Sequence, residues 1–266
     1  MKKGIKEVIK ILSLTELRIL PSYLSYNFVL AIIPIFTIIL LIASFFSISI
    51  DSIINLIDDT IPNYISNVII NIVSSKNYTL SIGLLNIFTL YVSSRGMYAV
   101  VEASNSLYGV DKRSVTRDRL KSVIILLLLV FSLLVLILIP VLGGKLLDFL
   151  SRYNIVANNI INMYHVFKWP ITFWVIFVNV ILIYIMSPSV KLKVRDVVVG
   201  AFTTTILWII FTAIFSYYLT YFTKFDVLYG GLSSVMVLLI WIYFLSYILI
   251  LGIVINTRKY NADKNR

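Results

Sequence analysis

The chain has no cysteine and a single histidine among its 266 residues. Disulfides, thiolate metal sites, iron–sulfur clusters and cysteine nucleophiles are therefore excluded, and His165 alone cannot build a histidine-rich metal centre. Charge is scarce too. Only 13% of residues are charged and 60% are hydrophobic, whereas a soluble domain carries about 25% charged residues. So little polar surface excludes a water-covered globule, and the hydrophobic excess excludes disordered and collagen-like chains. No glycine-rich phosphate loop occurs in the polar segments, so no nucleotide or other cofactor is expected. The segment Met1 to Ile11 is basic but lacks a continuous apolar core and a small-residue cleavage site. It does not read as a removable signal peptide.

What the chain does have is apolar runs of membrane-crossing length. Six segments qualify: Tyr26–Ile48, Leu80–Val101, Ser122–Leu142, Phe167–Met186, Val197–Tyr221 and Leu232–Asn256. The expected fold is all-α, a polytopic membrane protein with six transmembrane helices. Punctuation between spans comes from Asp58-Asp59 with Pro62, Gly109 with a charged run, Gly143-Gly144, Pro188 and Gly230-Gly231.

Orientation follows from the lysines and arginines. One side holds Lys2, Lys3, Lys6, Lys10 and Arg18, the loop Lys112 to Lys121, then Lys191, Lys193, Arg195 and the tail from Arg258, a total of 17. The other holds Lys76, Lys145, Arg152, Lys168 and Lys224, a total of 5, and Arg95 lies inside a span. Both termini are therefore expected in the cytoplasm. The same distribution explains the net charge of +11: the basic residues flank the membrane, where anionic headgroups attract them, and nucleic acid is not an expected partner.

The expected organisation is a cytoplasmic amphipathic segment at 1–25, a six-helix membrane domain at 26–256 and a basic cytoplasmic tail at 257–266. Ile5, Val8, Ile9 and Leu12 share one helical face in the first segment, with lysines elsewhere. The external loop at 49–78 repeats isoleucines at helical spacing, which suits either two short interfacial helices over the outer mouth or an amphipathic loop capping the bundle. The loop at 106–121 is basic and cytoplasmic.

The most informative polar feature is Tyr91, Arg95, Tyr98, Glu102 and Asn105, spaced 4, 3, 4 and 3 along one seam of the second span, with Ser94 beside it. An ionised side chain in a spanning helix needs water, a counter-charge or headgroups. These six residues are the candidate cavity or substrate contacts. The opposing interpretation is a fold-stabilising or boundary role, with Arg95 snorkelling toward the cytoplasm. Arg95 and Glu102 stand about 10.5 Å apart along the axis, so Tyr98 is placed to bridge them, or Glu102 meets a cation from another helix or from the basic loop. Pro34, Pro140, Gly200, Gly230 and Gly231 are the candidate helix breaks or hinges, since interrupted helices expose backbone groups to a substrate. Asn27, Asn86, Asn179, Thr203 to Thr205 and Asn256 suit either the same cavity or plain interhelical hydrogen bonds.

The stretch Tyr91-Val92-Ser93-Ser94-Arg95-Gly96-Met97, followed by Asn105-Ser106-Leu107-Tyr108-Gly109, resembles the YihY/BrkB family, formerly called ribonuclease BN. Leu30-Ala31-Ile32-Ile33-Pro34, Pro188 with its basic followers through Gly200, Trp208, Tyr229-Gly230-Gly231-Leu232 and Leu239-Ile240-Trp241-Ile242-Tyr243 continue the likeness in order. It covers about Tyr23 to Asn256. Two departures stand out: Val199 replaces the usual proline before Gly200, and Gly252-Ile253-Val254-Ile255-Asn256 lacks the acid of the usual Gly-x-Glu-x-Asn. The resemblance implies a six-span, multi-pass protein of the bacterial cytoplasmic membrane.

A nuclease needs clustered carboxylates or histidines, or a positioned acid and base. The twelve acids are scattered and the one adjacent pair, Asp58-Asp59, is expected outside the cell, so no enzyme is expected. The favoured class is a transporter or lipid translocator, with membrane lipids as partners and an anionic lipid as candidate substrate. The alternative is a non-transporting envelope scaffold. No feature of the sequence singles out a protein partner or an oligomeric state.

Overall fold

The computed structural model describes residues 15–45, 84–110, 114–132, 158–221 and 233–264. Among the described residues every regular element is a helix: α1 Thr15–Phe45, α2 Leu84–Leu107, α3 at 115–132, α4 Asn158–Met186, α5 Val194–Tyr221 and α6 Ser233–Lys264. The segment around Ile5 to Leu12, the loop 49–78 expected on the outer side, Pro140, Gly230 and Gly231 lie outside these residues.

Most helices overrun the expected spans. α1 begins at Thr15 instead of Tyr26 and so takes in much of the expected amphipathic segment. α4 begins at Asn158 instead of Phe167, which places His165 within a helix. α6 runs on to Lys264, so most of the basic tail is helical. Hydropathy marks only the part of a helix that needs an apolar surrounding; backbone hydrogen bonding carries the helix beyond it. Among the described residues Pro21 and Pro34 lie within α1 and Pro170 within α4.

Two of the described helices, Val194–Thr220 and Val235–Ala262, are long and apolar enough to cross a membrane. Their 27 and 28 residues extend about 40 Å, against a hydrocarbon thickness of about 30 Å. α5 turns Val198, Val199, Phe202, Ile209, Ile210 and Ile214 outward, an apolar exterior that suits acyl chains and not water.

The six helices close a ring in chain order. α1 packs on α2 and α6, α5 on α6 and α4, and α2 also meets α6. Hydrogen bonds supply the remaining links: Asn105 to Asp118 joins α2 to α3, and the Ser132 hydroxyl donates to Asn179 to join α3 to α4. Between α1 and α2 the approach is close. A Cβ on Gly96 would stand 2.8 Å from the Phe28 ring, and Leu24, Ala31, Val100 and Ala103 are fully buried around it.

α5 and α6 are zipped antiparallel by polar contacts one turn apart. Gly200 N–H donates to the Asn256 amide oxygen (2.9 Å), the Thr204 hydroxyl to the Ile248 carbonyl (3.5 Å), the Trp208 indole to the Leu245 carbonyl (2.9 Å), and the Trp241 indole to the Thr212 hydroxyl (3.4 Å). Residues four apart share a helix face, so these four positions on α5 form one stripe. The Tyr184 hydroxyl of α4 enters the same interface, 2.6 Å from the Thr204 hydroxyl and donating to the Leu249 carbonyl over 2.9 Å. Gly200 therefore does not break its helix. It lies inside continuous α5, where a Cβ would collide with Asn256 and the Gly252 backbone, and a Cβ on Gly252 would collide with Thr204 and Tyr184. Small residues let helices approach this closely. α1 likewise runs through Pro34 as one helix.

The helix ends gathered at the basic end of the bundle are individually capped. After α2, Gly109 takes φ +66°, its N–H reaches the Ser106 carbonyl and Val110 N–H the Asn105 carbonyl, which is a Schellman closure. Ser114 stands at the N-cap of α3, its carbonyl taking the Asp118 N–H. At the start of α5 the Asp196 carboxylate accepts the Lys193 N–H over 2.8 Å, the reciprocal half of a capping box. Lys259 of α6 donates to the Arg195 carbonyl over 2.7 Å, and Tyr108 packs edge-on against Tyr260.

Candidate functional site along the second helix

The seam on α2 changes character along its length. Tyr91 and Arg95 are exposed, Tyr98 and Glu102 partly buried, and Asn105 fully buried. Neighbouring helices flank it on two sides, α1 through Tyr23 and α3 through Asp118 and Arg119.

Glu102 finds no cation among the described residues. Its carboxylate accepts the Tyr23 hydroxyl of α1 over 2.5 Å, and Tyr98 faces the same carboxylate. A phenol is a neutral donor, so this contact cancels no arginine's charge. Tyr23 lies outside both expected alternatives, a bridge through Tyr98 and a cation from another helix or from the basic loop, of which residues 111–113 are outside the described residues. Tyr98 lies against Glu102 as its place on the seam suggested.

Asn105 belongs to a polar knot at the basic end. Its amide nitrogen donates to Asp118 over 3.0 Å, and its oxygen accepts the Ser189 backbone N–H over 2.7 Å. The Ser189 hydroxyl donates to the other Asp118 oxygen over 3.3 Å, and Lys121 donates to that hydroxyl over 3.0 Å. Asp118 is 2% exposed. A carboxylate so far from water needs its lone pairs filled, and the amide and hydroxyl fill them. The knot fastens α2, α3 and the α4–α5 connection together.

Ser94 is buried and donates to its own helix, at the Tyr91 carbonyl (2.8 Å). The same carbonyl accepts a second donor, the Arg119 guanidinium of α3, also over 2.8 Å. That guanidinium lies 4.0 Å from the Tyr91 ring centroid and 5.2 Å from the Tyr98 ring centroid, within the range of cation–π attraction. Arg119 thus extends along α2, laid over the two tyrosines that bracket Arg95. Arg95 makes no hydrogen bond to another described residue, and it is near enough to the Tyr23 hydroxyl to act on it electrostatically.

The expected site residues accordingly divide. Tyr91, Arg95, Tyr98 and Glu102 share one stretch between α1 and α3, Ser94 is turned into the packing, and Asn105 serves the knot. Of the other polar residues, Asn179 and Asn256 make interhelical bonds, while Asn27, Thr203 and Thr205 bond within their own helices. Tyr23, Asp118, Arg119 and Ser189 escape a reading of single-helix spacing. The available signal was Asp118, the one acid between Ser114 and Ser132. Beside the knot, burial pushes the Tyr108 phenol up to about 12, with the Thr257 hydroxyl opposing, so Tyr108 remains a neutral group at physiological pH. Among the described residues no group of three or more His, Asp or Glu gathers at one place.

Residues 15–266 match the family model described as Virulence factor BrkB. The chain is 29% identical over 269 aligned positions to YfkH of Bacillus subtilis, called a ribonuclease-like protein, with 98% of each chain covered. It is 30% identical over 102 positions to a membrane protein of Citrobacter koseri and 29% identical over 102 to the membrane protein YihY of Escherichia coli O1:K1; each alignment covers 38% of this chain and 33% of the relative. No solved structure matches.

Proposed function

The chain belongs to the BrkB virulence-factor family of membrane proteins, and from that premise we propose that it is a transporter or lipid translocator whose polar path is built around Arg95. One observation carries this reading. Arg95 is exposed on α2, and no described residue offers it a hydrogen bond while the nearest acid on its seam is held by a phenol. A guanidinium in a spanning helix is expensive unless it meets water, a counter-charge or an anionic headgroup.

On this reading the protein has six spans with both termini and the basic end in the cytoplasm, in accord with the 17 to 5 distribution of basic residues. The cargo is an anionic amphiphile, its headgroup following the seam and its chains the apolar exterior. The protein moves a molecule and does not cut one.

The test is transbilayer movement of a fluorescent anionic lipid in liposomes carrying the purified protein. Wild type should accelerate movement over empty liposomes, Arg95→Ala should abolish the acceleration while still inserting, and Arg95→Lys should restore part of it. Equal rates for wild type and Arg95→Ala, or inert liposomes accompanied by a stable co-purifying membrane protein, would replace the transport reading with a scaffold.

A further inference from the structure

We propose that Arg119 and Arg95 together form a binding site for a phosphate-class oxyanion, with Arg119 held ready for it by Tyr91 and Tyr98. The inference deepens the proposed function and rests on it for the route along which the anion would travel.

The argument begins with where the two nearest acids point. Glu102 is directed to the phenols of Tyr23 and Tyr98. Asp118, next to Arg119 in sequence, is directed away into Asn105 and Ser189. Each carboxylate is satisfied by neutral donors. Among the described residues, then, neither guanidinium has a carboxylate partner, although both lie on the same stretch of α2. The usual remedy for a partly buried cation is a carboxylate. Here the two described acids nearest them are turned aside, so no described carboxylate answers the two positive charges.

The second strand is how Arg119 is held. Its contacts are the Tyr91 carbonyl and the faces of two rings. They fix the plane of the guanidinium without neutralising it, and its Nε is buried with no partner. Fixing the side chain in advance removes much of the entropy that a flexible arginine loses on binding. Arg95 follows Tyr91 by four residues and precedes Tyr98 by three, so its side chain leaves α2 between the rings that carry Arg119. Two guanidiniums presented together favour a tetrahedral oxyanion, because planar forks pair with phosphate oxygens in bidentate fashion. That chemistry is offered equally by a phospholipid headgroup and by free phosphate.

The full-length protein, purified in a zwitterionic detergent, is titrated calorimetrically with short-chain phosphatidylglycerol, short-chain phosphatidylcholine and inorganic phosphate. Phosphatidylglycerol should bind, phosphatidylcholine should bind more weakly, and Arg119→Gln should weaken phosphatidylglycerol binding by about tenfold or more. Arg119→Lys keeps the charge and should recover only part of the affinity; it also serves if the glutamine variant does not fold. Competition by inorganic phosphate with the same dependence on Arg119 supports the site and assigns it to free phosphate, whereas lipid binding without such competition supports it and assigns it to a headgroup. Affinity unchanged in a folded Arg119→Gln or Arg119→Lys protein, or no binding by wild type, overturns it. Arg119-dependent binding in a protein that moves no lipid would sink the transport reading alone; lipid movement in a protein whose binding ignores Arg119 would sink the site alone.

Discussion

Asn105 gives its amide to the Asp118 carboxylate over 3.0 Å and takes the Ser189 backbone N–H on its own oxygen over 2.7 Å, so one side chain joins α2, α3 and the α4–α5 connection. Its own carbonyl meanwhile closes the Schellman turn through Val110. Asn105→Ala should therefore leave a buried carboxylate and a backbone N–H short of partners, lowering stability by about 1–3 kcal/mol. Thermal unfolding in detergent measures this. Asp118→Asn, which keeps a hydrogen-bonding side chain of the same shape, should lose less. An Asn105→Ala protein as stable as wild type would remove the knot from any structural role.

Two kinds of glycine make a contrasting pair of predictions. A Cβ on Gly252 would collide with Thr204 and Tyr184, whereas one on Gly109 meets nothing within 4 Å and pays only for the φ of +66°. Gly252→Ala should destabilise by about 1–3 kcal/mol or more through overpacking. Gly109→Ala should lose about 1–2 kcal/mol from the left-handed backbone, and Gly109→Asn less, since asparagine tolerates that region. The order of the three unfolding temperatures is the readout; Gly252→Ala ranking as the mildest would contradict the close approach of α5 and α6.

The phenol on Glu102 can be isolated by a double-mutant cycle. Tyr23→Phe, Glu102→Gln and the double variant should show a coupling of about 1 kcal/mol, at the lower end for a charged hydrogen bond because Tyr23 is 39% exposed. Additive losses would show that the two side chains do not depend on one another.

A chain without cysteine suits site-directed labelling. Single cysteines at Ser114, Lys191 and Ala262 should resist a membrane-impermeant maleimide in intact cells and react after lysis, while one at Asn77 should react in both. Labelling of the Ser114 position in intact cells would invert or dismantle the proposed topology.

The helical class and the shared face of Tyr91, Arg95, Tyr98 and Glu102 were legible in the sequence because both are periodic properties of one helix. Gly109 likewise marked the break after the second span. The partners across helices were not. Tyr23 lies 79 residues from Glu102, and no spacing rule joins positions so far apart. Arg119 read as one basic residue in a basic loop; the loop proved helical from 115, which aims its side chain along α2 instead of into solvent. Gly200 looked like a hinge because glycine serves both hinges and tight contacts, and only Asn256 and Gly252 opposite decide between them.

The regular rungs from Gly200 with Asn256 to Thr212 with Trp241 bind α5 and α6 as a single stiff beam. Lys259, in the last turns of α6, also grips the start of α5, so parting the two helices would break contacts at every level together. The pair is therefore expected to move as one body, with relative motion falling to the other helices.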